Sequence, residues 1–192
     1  MTGVQTCALP ISRKSQLEFY GRNKMNVYIY GPKDDPWHRD KWREPYPEVE
    51  ANRIAELVEV AKKNGVNFYW AIHPGVDIKW NDEDRDKLIA KFEVMYQLGV
   101  RSFAVFFDDI WGEGTKADKQ AALLNYVDDN FVKAKKDVAP LILCPTEYNK
   151  SWANAFGLSQ LGVFSLPVAI PAELVKFICE FLFLGLLLSI CQ

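Results

Sequence analysis

Two adjacent carboxylates, Asp108 and Asp109, close the strand-like run in "SFAVFFDDIWGEGT". Acids this close do not readily both ionise, so one carboxyl rises in pKa while its neighbour falls. A proton donor beside a charged stabiliser is the pair that glycoside cleavage needs. Two other readings stay open for the pair taken alone. One is a capped, solvated loop, the commoner fate of an isolated Asp-Asp at a strand end. The other is a Mg2+ site, which wants a third carboxylate from a neighbouring strand end, with Asp34, Asp35 or Glu147 as donors. Successive strand residues point to opposite faces, so the aspartates share a pocket only where the strand breaks. The turn containing Gly112 and Gly114 is expected to supply that break.

Further candidates follow other β-rich runs. Lys33 comes after "MNVYIYGP" and is expected near the same mouth, donating to a hydroxyl or pairing with the acids. His73, after "VNFYWAI", reads as a structural histidine, with a catalytic role as the less favoured alternative. Cys144 lies inside the apolar run "LILCP" and reads as a packed thiol, and Tyr148 beyond it as packing or a hydroxyl donor. Trp37, Trp42 and Trp152 fall in loops, where aromatic rings stack on sugars or pack at a rim. Cys7, Cys144, Cys179 and Cys191 show no CxxC pairing, and His38 and His73 are too few for a multi-histidine metal centre.

Alternating strands and helices must position these residues. "MNVYIYGP" reads as a strand, and "YPEVEANRIAELVEVAKKNG" as a helix with Ile54, Leu57, Val58 and Ala61 on its apolar stripe. "VNFYWAIHPG" is a second strand. "NDEDRDKLIAKFEVMYQLG" follows as a helix N-capped by Asn81, with Leu88, Phe92, Met95 and Tyr96 on its buried face. The third strand is "RSFAVFFDD". Thr115 and Asp118 mark the start of a helix carrying Leu123, Leu124, Val127 and Phe131, and "LILCPTEY" is the fourth strand.

Strand starts near 26, 67, 102 and 141 recur at βα-unit spacing. Continuously apolar strands imply helices covering an α/β parallel sheet. A doubly wound sheet and a (β/α)8 TIM barrel both fit. No Gly-rich phosphate loop follows any strand, and every strand ends in polar or aromatic residues, which favours the barrel. A complete barrel takes about 250 residues, so four strands amount to about half of one.

At 192 residues the chain is long enough for one domain, and 23 basic against 25 acidic residues give no reason to expect a nucleic-acid partner. The two ends differ from the middle. "MTGVQTCALPIS" lacks the basic n-region of a signal peptide. It reads codon by codon as the translation of a common sequencing-adapter oligonucleotide, so residues 1–12 are expected to be non-native. Residues 155–192 are nearly free of charge, yet the uncharged run 181–192 falls short of the about 20 residues a membrane span needs. An out-of-frame or chimeric tail is expected there, ahead of a membrane anchor or a buried amphiphilic helix. Residues 13–154 remain as the part expected to be native, the portion of a barrel domain that carries the candidate residues.

Together, "NKMNVYIYGPKDDPWH", "WAIHPGVDIKWNDEDRDKL", "LGVRSFAVFFDDIWGEGT" and "CPTEYNKSWAN" closely resemble glycoside hydrolase family 84 from about Arg13 to Asn154. This is the family of O-GlcNAcases and hyaluronidase-like β-N-acetylglucosaminidases, and the likeness is strongest to gut-Bacteroides-type members. The resemblance implies a (β/α)8 barrel, of which roughly strands 2–5 and their helices are present. It implies retaining, substrate-assisted hydrolysis of terminal β-linked N-acetylglucosamine, in which the sugar's acetamido oxygen attacks the anomeric carbon and forms an oxazoline. In that scheme Asp108 orients and polarises the acetamido N–H, and Asp109 protonates the leaving oxygen and then activates water. Lys33 contacts a sugar hydroxyl, Tyr148 bonds the acetamido or oxazoline oxygen, and Cys144 walls the acetyl-methyl pocket. No metal or cofactor is implied. The implied partner is an N-acetylglucosamine-bearing glycan or glycoprotein, with no nucleic acid and no membrane, in an exported protein.

The family's first strand, with a "GFYG"-like turn, should precede Arg13, and later sugar-clasping strands should follow Asn154. Neither matches this chain. The fragment as written is therefore expected to be inactive. The alternative is a non-catalytic carbohydrate-binding or structural barrel fragment.

Overall fold

A computed structural model of the chain describes residues 10–146, with side chains from Ser12 onward. Tyr148, Glu147 and Trp152, and with them segments 1–9 and 147–192, lie outside the described residues. The described elements are α1 (Pro10–Arg22), β1 (Val27–Tyr30), α2 (Glu48–Lys63), β2 (Asn67–Ile72), α3 (Asp82–Gln97), β3 (Ser102–Phe106), α4 (Ala117–Val127) and β4 (Ile142–Cys144). All strand pairs are parallel, and the spatial order is the chain order, β1-β2-β3-β4.

Side-chain alternation sorts the sheet into two faces. Tyr30, Phe68, Trp70, Ile72, Phe103, Val105, Leu141 and Leu143 share one core with Ile54, Leu57 and Val58 of α2, Leu88, Phe92 and Met95 of α3, and Leu123, Leu124 and Val127 of α4. The opposite face carries a small separate cluster: Ala71, Ala104 and Ile142, with half-buried Ile29, Tyr69 and Phe106 against it. None of these comes from a helix. Helices on one face and strands in sequential order describe a barrel wall, with the small cluster on its interior. A doubly wound sheet would put helices on both faces and reverse the strand order at a switch point. The fold is thus α/β, a run of four barrel strands.

Each helix forms where the sequence places its signals, with two differences. Asn81 caps α3 by accepting from the Asp84 N–H at 2.9 Å, beside the acidic first turn Asp82, Glu83 and Asp84. Thr115 is not a cap. Its hydroxyl donates to the Gly112 carbonyl at 2.8 Å, and α4 begins at Ala117 and gives way to a π-helical turn over Asp128–Val132. The second difference is α1, which has no sequence stripe to announce it: Leu17 is fully buried while Phe19 stays exposed. Its contact with α2 runs through Gly21, where a Cβ would lie 2.7 Å from the Asn64 carbonyl oxygen.

Aromatic packing stiffens the helix-side core. Phe92 and Phe103 stack at 4.9 Å, and Phe131 meets Phe103 edge-on at 5.0 Å. Such pairs add about 0.5–1.5 kcal/mol beyond area burial. They fix the strands whose C-terminal ends carry the candidate residues.

Candidate active site

The C-terminal ends of β1, β2, β3 and β4 lie side by side, and each contributes one or more of the residues singled out above. β3 ends at Phe106, whose interior side pairs with Cys144, and the Phe107 N–H still donates to the Cys144 carbonyl at 2.8 Å. The strand then breaks at Asp109 itself, which takes φ +53, with Gly112 following at φ +73. The break thus begins earlier than the expected Gly112–Gly114 turn. A left-handed aspartate redirects its side chain out of the strand's alternation, so the two carboxylates need not point to opposite faces.

Asp109 reaches toward β1. Lys33 Nζ lies 3.4 Å from Asp109 Oδ2, and the side chains are 75% and 59% exposed, so this contact guides orientation more than stability. Asp108 turns toward β2 and is mostly buried; its Oδ1 lies 3.7 Å from His73 Nε2 and has no hydrogen-bond partner among the described residues. Cys144, buried on the barrel interior, lies at the end of β4 and directs its thiol at the Pro145 carbonyl at 3.8 Å. Lys33, Asp108, Asp109 and Cys144 therefore sit on three strand ends of one mouth; Tyr148 lies outside the described residues.

Several residues hold this mouth through contacts that the sequence does not show. Asp35 is buried, and its carboxylate accepts from Tyr30 Oη at 3.0 Å, Tyr46 Oη at 2.8 Å and the Trp37 N–H at 2.9 Å. It anchors the loop that carries Lys33, and so faces tyrosines rather than the Asp108–Asp109 pair, as a shared cation would require. Asp34 pairs instead with Arg13 at 3.9 Å. Burial raises the phenols of Tyr30 and Tyr46 above the ordinary range, and the neighbouring Asp35 adds to this. Burial lowers Lys91 to about 8, against the pull of Asp35 and Glu44; its ammonium covers the Tyr46 ring at 4.3 Å.

Trp42, read as a loop aromatic that stacks on a sugar or packs at a rim, is fully buried, and its Nε1 donates to Asp77 Oδ1 at 2.8 Å. Trp37 is half-buried against Tyr46 at 5.9 Å. On the other side, buried Gln120 of α4 donates to the Gly114 carbonyl at 2.7 Å and to Thr146 Oγ1 at 2.9 Å, and Thr146 donates to the Phe107 carbonyl at 2.7 Å. The loops after β2 and β3 touch through glycines. A Cβ on Gly75 would lie 2.8 Å from Ile110 Cδ1, and one on Gly114 would lie 2.9 Å from the Gly75 carbonyl oxygen.

A protein-family model described as NAGidase, beta-N-acetylglucosaminidase, matches residues 10–163, which include all four strand ends. The chain belongs to that β-N-acetylglucosaminidase family, glycoside hydrolase family 84. Family relatives include the protein O-GlcNAcases of Rattus norvegicus and Mus musculus, each 35% identical over 137 residues, covering 65% of this chain and 14% of theirs. Among solved structures, CpGH84B superposes with a TM-score of 0.70 at 46% identity, covering 73% of this chain and 25% of that one. An O-GlcNAc hydrolase mutant from Thermobaculum terrenum superposes with a TM-score of 0.72 at 34% identity, covering 81% of this chain and 36% of its own. The chain thus spans about one-seventh of these curated relatives and between a quarter and just over a third of these solved chains.

Proposed function

We propose that residues 13–154 are part of the catalytic barrel of a retaining β-N-acetylglucosaminidase acting on terminal N-acetylglucosamine of a glycan or glycoprotein. The observation that carries the reading is the left-handed turn at Asp109, which sets two carboxylates at the end of β3 within the family match. Asp108, held in a mostly buried setting, is the group that orients the substrate's acetamido N–H and balances the positive charge of oxazoline formation. Asp109, more exposed and facing Lys33, protonates the leaving oxygen and then takes a proton from the incoming water. Lys33 meets a sugar hydroxyl, Cys144 walls the pocket for the acetyl methyl, and Tyr148 bonds the acetamido or oxazoline oxygen. Because the nucleophile belongs to the substrate, the carboxylate-separation rule for ordinary retaining enzymes does not govern this pair.

In the same reading the reaction proceeds without a metal, and this 192-residue chain alone does not turn over. Activity belongs to a complete protein that closes the barrel. That protein is expected to hydrolyse an aryl β-N-acetylglucosaminide equally well with and without a chelator, and Asp109→Asn is expected to remove most of the rate. Full activity in that variant, or loss with the chelator, overturns the reading. Calorimetry separates the alternative of a non-catalytic barrel: absence of binding of an oxazoline-like inhibitor to the complete, folded protein favours it.

A further inference from the structure

His73 stands at the end of β2 and is 1% exposed. Its Nε2 lies 2.6 Å from the backbone carbonyl oxygen of Asp108. A carbonyl only accepts, so Nε2 carries the hydrogen and donates it. Nδ1 is buried and has no hydrogen-bond partner among the described residues, and the same Nε2 lies 3.7 Å from Asp108 Oδ1, itself buried without one. The ring is held in turn by its own backbone: the His73 N–H donates to the His38 carbonyl at 2.7 Å, on the loop after β1. His73 therefore links the loop after β1 to the end of β3 through one residue of β2's exit.

The bond falls on the peptide that leads into the strand break. Thr146 holds the Phe107 carbonyl from the β4 side, and His73 holds the next carbonyl, Asp108, from the β2 side. Between them they fix the two peptide planes ahead of Asp109. A non-glycine residue in the left-handed region is disfavoured and persists only where its surroundings over-determine it. Asp109's own side chain supplies little of that constraint, because its contact with Lys33 is exposed.

We propose that His73 is a positioning residue for the Asp108–Asp109 pair: its Nε2–H fixes the Asp108 carbonyl from which Asp109 turns, and sets the ring dipole against the buried oxygen of Asp108. This assignment rests on the functional reading above, and it adds to that reading a buried ring that acts on the pair without touching substrate.

The test uses His73→Ala and His73→Gln in the complete protein that contains these residues, assayed on an aryl β-N-acetylglucosaminide with active sites counted by a tight inhibitor. Misplacement of reacting groups by about 1 Å costs about 100-fold in rate, so His73→Ala is expected to lower kcat per active site by about 10- to 100-fold with little change in KM. The Gln amide N–H is expected to restore part of that loss. A merely structural histidine would lower thermal stability and the number of sites but leave kcat per site intact, and that result overturns the proposal. Should the variants not fold, the ring nitrogens of the unaltered protein decide. In the complete protein, long-range 15N–1H correlations assigned through the His73 backbone distinguish this ring from the other histidines. His73 is expected as the Nε2–H tautomer with a slowly exchanging, hydrogen-bonded proton, and the Nδ1–H tautomer overturns the proposal. If the complete protein with His73 intact hydrolyses no aryl substrate, the functional reading has failed separately, and the ring spectrum still reports on the bond.

Discussion

Replacing Arg43 by alanine strands a buried carboxylate, and the consequence follows from the contacts it loses. Arg43 Nε donates to Asp84 Oδ1 at 2.7 Å and Nη2 to Asp84 Oδ2 at 2.6 Å, while Nη2 also meets the Asp77 carbonyl at 3.0 Å. The guanidinium packs over Trp42 at 4.2 Å, and Nη1 pairs with Asp77 Oδ2. Without it, the Asp84 carboxylate, only 4% exposed, keeps a single donor, the Lys79 N–H at 2.7 Å. Removing one partner of a buried pair costs about 3–5 kcal/mol, and the 21% exposure of Arg43 puts this case at the lower end, about 3 kcal/mol. With a urea slope of about 1–3 kcal/mol per molar, the midpoint should fall by about 1–3 M.

The deficit also has a pH signature. Hydrogen bonds from Arg43 hold Asp84 below the ordinary carboxylate range, against burial that pushes it up, and the Lys79 N–H assists. A depressed folded pKa contributes stability that is fully present above the unfolded value of about 3.9 and is lost as pH falls through the folded value. Urea titrations of parent and Arg43→Ala should therefore differ fully at pH 7 and converge as pH drops below about 4. An unchanged midpoint at pH 7, or an equal deficit at both pH values, would refute the reasoning.

Three further outcomes are expected. Lys91, lowered to about 8 by burial, binds more protons unfolded than folded from that pH to about 10.4, so its contribution raises stability with pH across that window. Tyr30 and Tyr46, raised by burial, act oppositely: the stability they add below about pH 10 is lost as pH rises above it, and denaturant midpoints taken from pH 7 to 11 should rise and then fall. Gly75→Ala puts a methyl against Ile110 and Phe107, and overpacking of this kind costs about 1–3 kcal/mol; a thermal midpoint equal to the parent's would contradict the tight contact of the two loops. Lys33→Ala should change stability by less than about 1 kcal/mol because its pair with Asp109 is exposed, while lowering kcat/KM of the complete protein; unaltered kinetics would remove Lys33 from the site.

The barrel was readable because its signals are local and periodic. Ile54, Leu57, Val58 and Ala61 repeat at helical spacing, and all four are buried; the strands run apolar to polar ends that lie together. What stayed hidden depends on distant partners. Trp42 in a loop reads equally as a sugar-stacking or a rim-packing ring until Asp77, far along the chain, satisfies its indole and the core closes over it. Asp35 reads as a spare carboxylate until Tyr30 and Tyr46 turn their hydroxyls to it. Gln120 is a polar residue on an apolar helix face, a sign that its amide has a buried task, but its acceptor and partner hydroxyl lie on two other loops. The left-handed turn at Asp109 has no sequence mark, since the expected glycines come after it.

Division of labour between the two aspartates is tested most directly by varying the leaving group. In the complete protein, Asp109→Asn should cut kcat/KM by about 100- to 10,000-fold on a β-N-acetylglucosaminide whose leaving oxygen needs a proton, and by a smaller factor, though still removing most of the rate, on an activated aryl glycoside. Asp108→Asn should depress both substrates alike, because the acetamido group must attack in either case. Equal losses in both variants on both substrates, or full activity in either, would contradict the account.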